Sequence, residues 1–443
     1  MKVLSVGGGA REHSVVEALK RSNAEIYSVM KNKNPGIASA SVEFVLMDEC
    51  QVEQVADWAV SKGVDIAVIG PEGPLGEGLV DVLESKGIPC VGPSKAASQI
   101  EISKEYARDL MKRNNIPGYI EHRVFDNIDE VMPFLEEFGK DVVVKPIGLT
   151  GGKGVKIMGE HLHSLDDVVE YCREVLENKI GGEARVLIEE KCVGEEFTLQ
   201  AFCDGKTLSP MPAVQDHKRA YEGDEGPNTG GMGSYSESGG LLPFLSRAEY
   251  DEAVGIMQRT IDAMREEGTP YKGILYGQFM LTADGMKLIE YNARFGDPES
   301  MNVLPILQDD FLAICQDIVN GSLSAAVRFD NKATVVKYVV PIGYGIESRS
   351  GEKVLLDESS IKNTGAELYY ASVNEEGGQI YTTTSRSLGI VGIASTITDA
   401  ESISEEGLKF IGGNVFMRHD IGKPDSIRKK VERMENIRGS RSA

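Results

Sequence analysis

The stretch Leu288–Ser300, LIEYNARFGDPES, decides how the rest of the chain is read. In an extended segment side chains alternate between faces, so Glu290, Asn292 and Arg294 share one face while Ile289, Tyr291, Ala293 and Phe295 share the other. Taken alone, an acid, an amide and a guanidinium in a row are the wet side of a half-exposed antiparallel sheet. Any other reading has to come from what the remainder of the chain brings to that face.

Working outward, GILYGQFMLTADGMKLIEYNARF reads as a hairpin turning at Asp284-Gly285, which sets Gln278 across from Glu290. TLQAFCDGKTLS is another hairpin, about Asp204-Gly205. Farther upstream, VVVKP and VKIMG are strands joined by the glycine-rich segment GLTGGKG (148–154), followed by a helix around DDVVEYCREVLEN and the strand VLIEEKC. DHKRAYEGDEGPNTGGMGSYS reads as a long polar loop. This antiparallel region begins near Ser103-Lys104, where the helix KEYARDLMKRNNIP leads in.

The first hundred residues differ. KVLSV, EIYSVM, VDIAVIG and IPCVG are short buried strands separated by segments with helical apolar spacing, such as REHSVVEALKRS. That alternation predicts a doubly wound, mostly parallel sheet, whose strand ends carry GGG at 7–9, NPG at 34–36 and GPEGPL at 70–75. After about Arg328, ATVVKYVVP, GIVGIAST and a final helix near SEEGLKFI give a small carboxy-terminal α+β domain. The expected division is 1–103, 104–328 and 329–443.

A chain of 443 residues is too long for one ordinary core. Its net charge of −22 repels polyanions, so nucleic acid is not an expected partner, and a phosphate-bearing ligand must be small and held locally. No apolar run is long enough to span a bilayer, and MKVLSVGGGAREHS breaks into glycine before it could serve as a signal peptide. A cytoplasmic protein with no membrane partner is expected. The six cysteines, at 50, 90, 172, 192, 203 and 315, form no C-x-x-C pair and read as reduced, packed thiols.

Two glycine motifs carry phosphate chemistry. GGGAREH follows a strand and opens a helix, so its backbone N–H groups and the helix dipole suit a phosphate. A dinucleotide fingerprint is opposed by Glu12 at the third glycine position, and by Met30, Lys31 and Asn32 where a ribose-binding acid belongs. A phosphate monoester site and a plain packing turn remain open. GLTGGKG is not a P-loop, because Lys153 is followed by Gly154 and strands flank it. It reads as a flap able to close over polyphosphate, with Lys145 on the preceding strand aimed at the same phosphates.

A glycine flap beside a strand lysine, the acidic turn VLIEEKCVGEE, and a late E-x-N on a strand come in the order that resembles the ATP-grasp fold. The run GGGAREH, NPG, GPEGPL, QDHKR, GPNTGGMG and YNARFGDPE resembles the glycinamide ribonucleotide synthetase family within it, strongly over residues 1 to about 300 and more loosely through TSRSLGIVGIAST and FMRHDIG.

The resemblance implies two α+β subdomains gripping ATP, with a mobile lid at about 121–192. It implies that Glu290 and Asn292 are oxygen ligands to Mg²⁺ or Mn²⁺, with Gln278 at a third metal position where many members carry an acid, and that Arg294 serves the acyl phosphate. Lys104, Lys145 and the flap residues Gly148, Gly151, Gly152, Lys153 and Gly154 would hold the ATP phosphates. Glu189, Glu190 and Cys192 would form the adenine hinge, and Glu196 would hold the ribose. Lys191 and Cys192 stand where the family usually has an aromatic and a leucine, and GLTGGKG departs from the commoner GLAAGKG.

Gly8, Gly9, Asn34, Pro35 and Gly36 would grip the sugar 5-phosphate and ribose. Asp216, Lys218, Thr229 and Gly230 would line the lip where glycine and the amine meet, with Asp216 holding the amine and Lys218 beside it, whereas a lone histidine such as His217 is more often structural. The implied reaction is ATP-dependent ligation of glycine to 5-phosphoribosylamine through glycyl phosphate. Two rivals are an ATP-grasp ligase for another carboxylate–amine pair and a nucleotide-binding module without turnover.

Overall fold

In the computed structural model, which describes residues 1–148 and 154–440, the amino-terminal sheet is wholly parallel. Its strand order is Glu43–Leu46, Glu25–Met30, Lys2–Val6, Ile66–Ile69 and Cys90–Val91. The edge strand Glu43–Leu46 has no counterpart in the sequence reading: its half-exposed EFVL lacks the continuous apolar run of the central strands.

The segment expected as the lid is a four-stranded antiparallel sheet, His122–Phe125, Val186–Glu190, Val142–Pro146 and Lys156–Ile157, covered by the helices Val131–Phe138 and Leu165–Asn178. It has its own core, including Phe125, Val144, Tyr171 and Ile188. Facing it is the body sheet, in the order Leu208–Pro210, Gly194–Asp204, Lys272–Thr282 and Gly285–Asn292. The hairpin turns one residue earlier than the sequence suggests, since Thr282 pairs with Gly285 and Ala283-Asp284 are the loop. Gly285 takes φ +105°, a backbone region glycine enters without strain.

The decisive strand is also not evenly alternating. Gln278 pairs with Glu290, but Phe279 pairs with Leu288, so Ile289 is the extra residue of a bulge. The buried positions therefore run Met286, Leu288, Tyr291, Ala293, with a phase shift at Ile289. The bulge leaves Glu290, Asn292 and Arg294 on the less buried face but removes Ile289 from the regular alternation.

The segment read as a long polar loop is folded. It supplies Gln215–Asp216, the hairpin Arg219–Tyr221 with Glu225–Asn228, and the strand Gly233–Ser236. Its polarity misleads because the hairpin turns on Asp224 and Gly223, both at positive φ, and the strand is bordered by glycines. Gln215–Asp216 and Gly233–Ser236 continue into a sheet with Ala333–Pro341, Leu388–Ala394, Glu367–Tyr370 and Val415–Met417, so the carboxy-terminal region is joined to the body by a shared ladder. The final helix is Pro424–Ser440, beyond the Ile397–Leu408 helix that the sequence reading took as last. Its Arg433 reaches back to Glu195 on the body sheet at 3.1 Å. Of the cysteines, all free, Cys50 is exposed and so is not a packed thiol.

Candidate active site

Glu290 lies where lid, body and lip converge. It is half-buried, and burial pushes its pKa up, yet Lys218, Lys145, Lys104 and Arg294 outweigh that and hold the carboxyl below its usual range. Three lysines from three separate segments thus face one carboxylate. Lys218 donates to Glu196 at 3.4 Å, and although burial works against its charge, Glu196, Glu290, Asp216 and Glu299 push its pKa up. Burial pulls the Lys104 pKa down, and its ammonium donates to the Gly148 carbonyl at 2.9 Å at the root of the flap. Lys218 and Lys145 also pair with Glu196 and Glu189, so the cations and carboxylates here form one interleaved network around Glu290.

Lys145 is paired with Glu189, whose other oxygen accepts two bonds from Arg108, at 3.1 and 2.8 Å. Burial raises the Glu189 pKa, but Arg108 and Lys145 reverse it and hold it at about 2. Its side chain is fully engaged, so what this turn offers a planar base is main chain. The Glu190 side chain points elsewhere, to Lys140 at 3.2 Å, and the Cys192 thiol, pushed by burial to about 11, is unreactive. Gly154 accepts from the Tyr171 hydroxyl at 2.7 Å. Gly151, Gly152 and Lys153 lie outside the described residues.

Gln278 donates through Nε2 to Glu196 at 2.5 Å, which turns its amide oxygen away from that carboxylate. The Asn292 oxygen accepts from Arg294 at 3.2 Å and retains a second lone pair. With Glu290 these are hard oxygen donors of the kind Mg²⁺ or Mn²⁺ takes. Among the described residues no three of His, Cys, Asp and Glu gather into a metal cage. A divalent ion here would complete its shell from nucleotide phosphates and water, which is how Mg²⁺ usually binds.

Arg294 is held more tightly than its sequence suggests. Nε donates to Glu72 at 3.3 Å, Nη1 to the Phe295 carbonyl at 3.3 Å and Nη2 to Asn292, while Glu101 pairs with it at 3.1 Å. Nε, one Nη1 hydrogen and Nη2 are engaged by these four partners, so it orients the Asn292 oxygen and keeps one Nη1 N–H for a ligand. Glu72 and Glu101 were not singled out from sequence. Of the two, Glu72 had a legible context, in GPEGPL at a strand end.

At the lip, Asp216 has a buried oxygen with no hydrogen-bond partner. Burial, then Glu299, raises its pKa well above the usual carboxylate range against the pull of Lys218 and Arg386. Thr229 donates its amide and hydroxyl to the Lys218 carbonyl, both at 2.8 Å, fixing the lip's backbone. Gly230 accepts from Arg386, which also pairs with Asp297 at 2.8 Å and covers the Tyr338 ring. Arg386 had gone unnoticed in TSRSLG, having no local pattern to mark it. Burial holds the His217 pKa far below its usual range, and its ring packs on Tyr235.

The loops read from sequence as the sugar grip are more occupied than expected. The Gly9 amide donates to Glu12 at 2.8 Å, and the Asn34 side chain accepts from Gly36 and Ile37 while donating to the carbonyls of Gly8 and Tyr370. Asn34 is therefore a cap and a tie between domains; the buried Gly36 amide is spent on it and Pro35 has no N–H, so the half-buried Gly8 amide is what these loops keep to offer. Gly36 itself admits no side chain, since a Cβ would fall 2.0 Å from the His13 ring.

These features match family models over most of the chain: phosphoribosylglycinamide synthetase N domain over residues 1–101, its ATP-grasp (A) domain over 102–300 and its C domain over 334–424. The chain belongs to the phosphoribosylglycinamide synthetase family. Curated relatives include the phosphoribosylamine–glycine ligases of Methanobrevibacter smithii, 54% identical over 437 residues (99% of this chain, 100% of that protein), and of Methanocaldococcus jannaschii, 52% identical over 444 residues (99% and 100%). Among solved structures, the phosphoribosylamine–glycine ligase of Thermotoga maritima superposes with a TM-score of 0.81 at 24% identity, covering 95% of this chain and all of that one. The biotin carboxylase domain of Hydrogenobacter thermophilus 2-oxoglutarate carboxylase, solved with MgADP, ADP and bicarbonate, gives 0.73 at 17% identity, covering 100% and 95%, a likeness of fold.

Proposed function

We propose that this chain is an ATP-dependent carboxylate–amine ligase that joins glycine to 5-phosphoribosylamine, giving glycinamide ribonucleotide, ADP and phosphate. The observation that carries the reading is the convergence of Lys104, Lys145 and Lys218 on Glu290, beside the lip that holds Asp216. Glycine's carboxylate is a poor electrophile. In the first step one of its oxygens attacks the γ-phosphorus in line and ADP departs, leaving glycyl phosphate. Lys104 and Lys145 spread the phosphate charge and hold the nucleotide still, which is most of what phosphoryl transfer asks of a protein.

Glu290 and Asn292, with Gln278, would hold Mg²⁺ or Mn²⁺, which when bound neutralises charge on the transferring phosphoryl group. Arg294 sets the Asn292 oxygen and faces the acyl phosphate. The amine of phosphoribosylamine then attacks the acyl carbon, the C–O bond to phosphate breaks and the nitrogen loses a proton. Asp216, a carboxylate with raised proton affinity, is placed to accept that proton, and Lys218 to steady the departing phosphate. Water would destroy the acyl phosphate, so the chemistry calls for a closed site; residues 149–153 of the flap expected over it lie outside the described residues.

The nucleotide's base is read by main chain of 190–192 and its ribose by Glu196. The sugar 5-phosphate goes to the Gly8 amide, with Pro35 and Gly36 forming the wall beside it, and Thr229 and Gly230 border glycine. We assign three domains with boundaries near 103 and 328; the change from parallel to antiparallel sheet supports the first, while a sheet shared with Gln215–Asp216 and Gly233–Ser236 crosses the second. Free cysteines and the charge of −22 support action in the cytoplasm on small molecules without nucleic acid. No helix of the described residues is long and apolar enough to cross a membrane.

ADP formation measured with freshly made phosphoribosylamine, with and without glycine, tests the reading. ADP release must require glycine, and sustained turnover must stop when phosphoribosylamine is left out. Release driven by a different carboxylate points to another ligase of the fold, and tight ATP binding with no release points to a module without turnover.

A further inference from the structure

We propose that Arg108 is a positioning residue that sets, with one guanidinium, both the phosphate-facing lysine of the lid and the carboxylate strand of the body. The inference rests on the ligase reading only in naming ATP as the ligand. Arg108 sits on the helix Lys104–Arg113 and is 3% exposed. Its Nε and Nη2 hold one oxygen of Glu189, whose other oxygen holds Lys145. Its Nη2 also donates at 2.7 Å to the carbonyl of Ile289, the residue that the bulge leaves without a register partner, immediately before Glu290.

Two physical consequences follow. Glu189 with Lys145 alone is a neutral pair, and a neutral pair offers a polyphosphate little. With Arg108 the triad carries a net positive charge, and Glu189 anchors the Lys145 ammonium without cancelling its charge. The second consequence concerns geometry. The bulge fixes which face Glu290 and Asn292 occupy, and a one-residue slip would turn both away. A buried arginine on the bulge carbonyl opposes that slip. Buried ion pairs are poor stabilisers compared with apolar packing, so full burial of this charge calls for a reason other than stability.

The test is Arg108→Met, with Arg108→Lys and Glu189→Gln beside it. Binding of a non-hydrolysable ATP analogue with Mg²⁺ is followed by calorimetry, with melting temperature and KM values measured in parallel. Losing bonds to charged partners should raise the analogue Kd and the ATP KM by about 10- to 100-fold in Arg108→Met, while the glycine KM stays within about twofold. Arg108→Lys keeps the charge but not both arms and should fall between wild type and Met. Combining Arg108→Met with Glu189→Gln should cost less than the sum of the two, because both act through Lys145.

An unchanged analogue Kd in either single Arg108 variant overturns the proposal, as does a uniform rise in all KM values that tracks the loss in melting temperature. Should Arg108→Met fail to fold, Arg108→Lys alone decides by the same criterion. If wild type shows no glycine-dependent ADP release while Arg108→Met still loses the analogue, the ligase reading falls and this inference stands.

Discussion

Replacing Arg294 by methionine removes a cation that two acids share. Its side chain is 17% exposed and that of Glu101 is 3%, so their 3.1 Å ion pair is effectively interior. Breaking one side of such a pair costs about 3–5 kcal/mol, chiefly through the charge left behind. At about 2–4 °C per kcal/mol for a large domain, the melting temperature should drop on the order of 10 °C.

The loss should depend on pH, with a definite sign. Burial already raises the Glu101 pKa, against the pull of Arg294 and helped by Glu72, and without Arg294 it rises further. A group raised in the folded state gives stability that is complete below its unfolded pKa and is lost as pH climbs through the folded one. For Glu72, burial is overcome by Arg294 and then Arg11, which hold it at about 2. That contribution exists only above the unfolded pKa, and the variant forfeits much of it there. Glu101 therefore makes the deficit larger at pH 8 than at pH 5.5, whereas the Glu72 loss, complete above its unfolded pKa, is the same at both and adds no slope in this window. Differential scanning calorimetry of nucleotide-free wild type, Arg294→Met and Arg294→Met/Glu101→Gln at pH 5.5, 6.5 and 8 reads it directly, and the double variant should recover most of the stability at pH 8. A deficit that is flat with pH, or that grows toward acid, would refute the reasoning.

Asn292→Leu should lower glycine-dependent ADP formation by about 10²–10³-fold with an unchanged circular dichroism spectrum, and near-wild-type turnover would remove Asn292 from the site. Gly231→Ala places a Cβ 2.8 Å from the Asp216 oxygen and 2.9 Å from Pro298 at φ +111°. It should cost about 1–3 kcal/mol and raise the phosphoribosylamine KM, both measurable on one preparation; a neutral result would mean that the lip is not rigid. Because burial holds His217 neutral, folding must forgo a proton that the unfolded chain takes up below about pH 6.5, so stability falls as pH drops through that value. His217→Asn should flatten that acid-side slope in a melting-versus-pH series and leave the pH–rate profile between 6 and 9 in place; a lost rate step would instead give His217 a chemical role.

What the sequence revealed and what it hid divide along a physical line. Glu290, Asn292 and Arg294 were legible because a strand's two-residue period is local, and from Glu290 onward the buried residues Tyr291, Ala293 and Phe295 obey it. One residue earlier the period fails, and nothing in LIEYN announces the bulge, whose free carbonyl is answered by Arg108 from 181 positions away. The final helix was legible in principle, since Ile427, Val431 and Met434 repeat at helical spacing, but its charges masked the stripe.

Arg108, Glu72, Glu101 and Arg386 hold other side chains in place, and their partners lie far off in the chain: 81 residues for Arg108 to Glu189, 222 for Arg294 to Glu72. Groups that meet a ligand cluster in short motifs because one loop or strand end must present several of them together. Groups that hold those groups are under no such constraint, since any element that folds alongside can supply them. A motif therefore fixes the donors, whereas their orientation and net charge, on which phosphate affinity depends, are written in residues that look ordinary until the chain has folded.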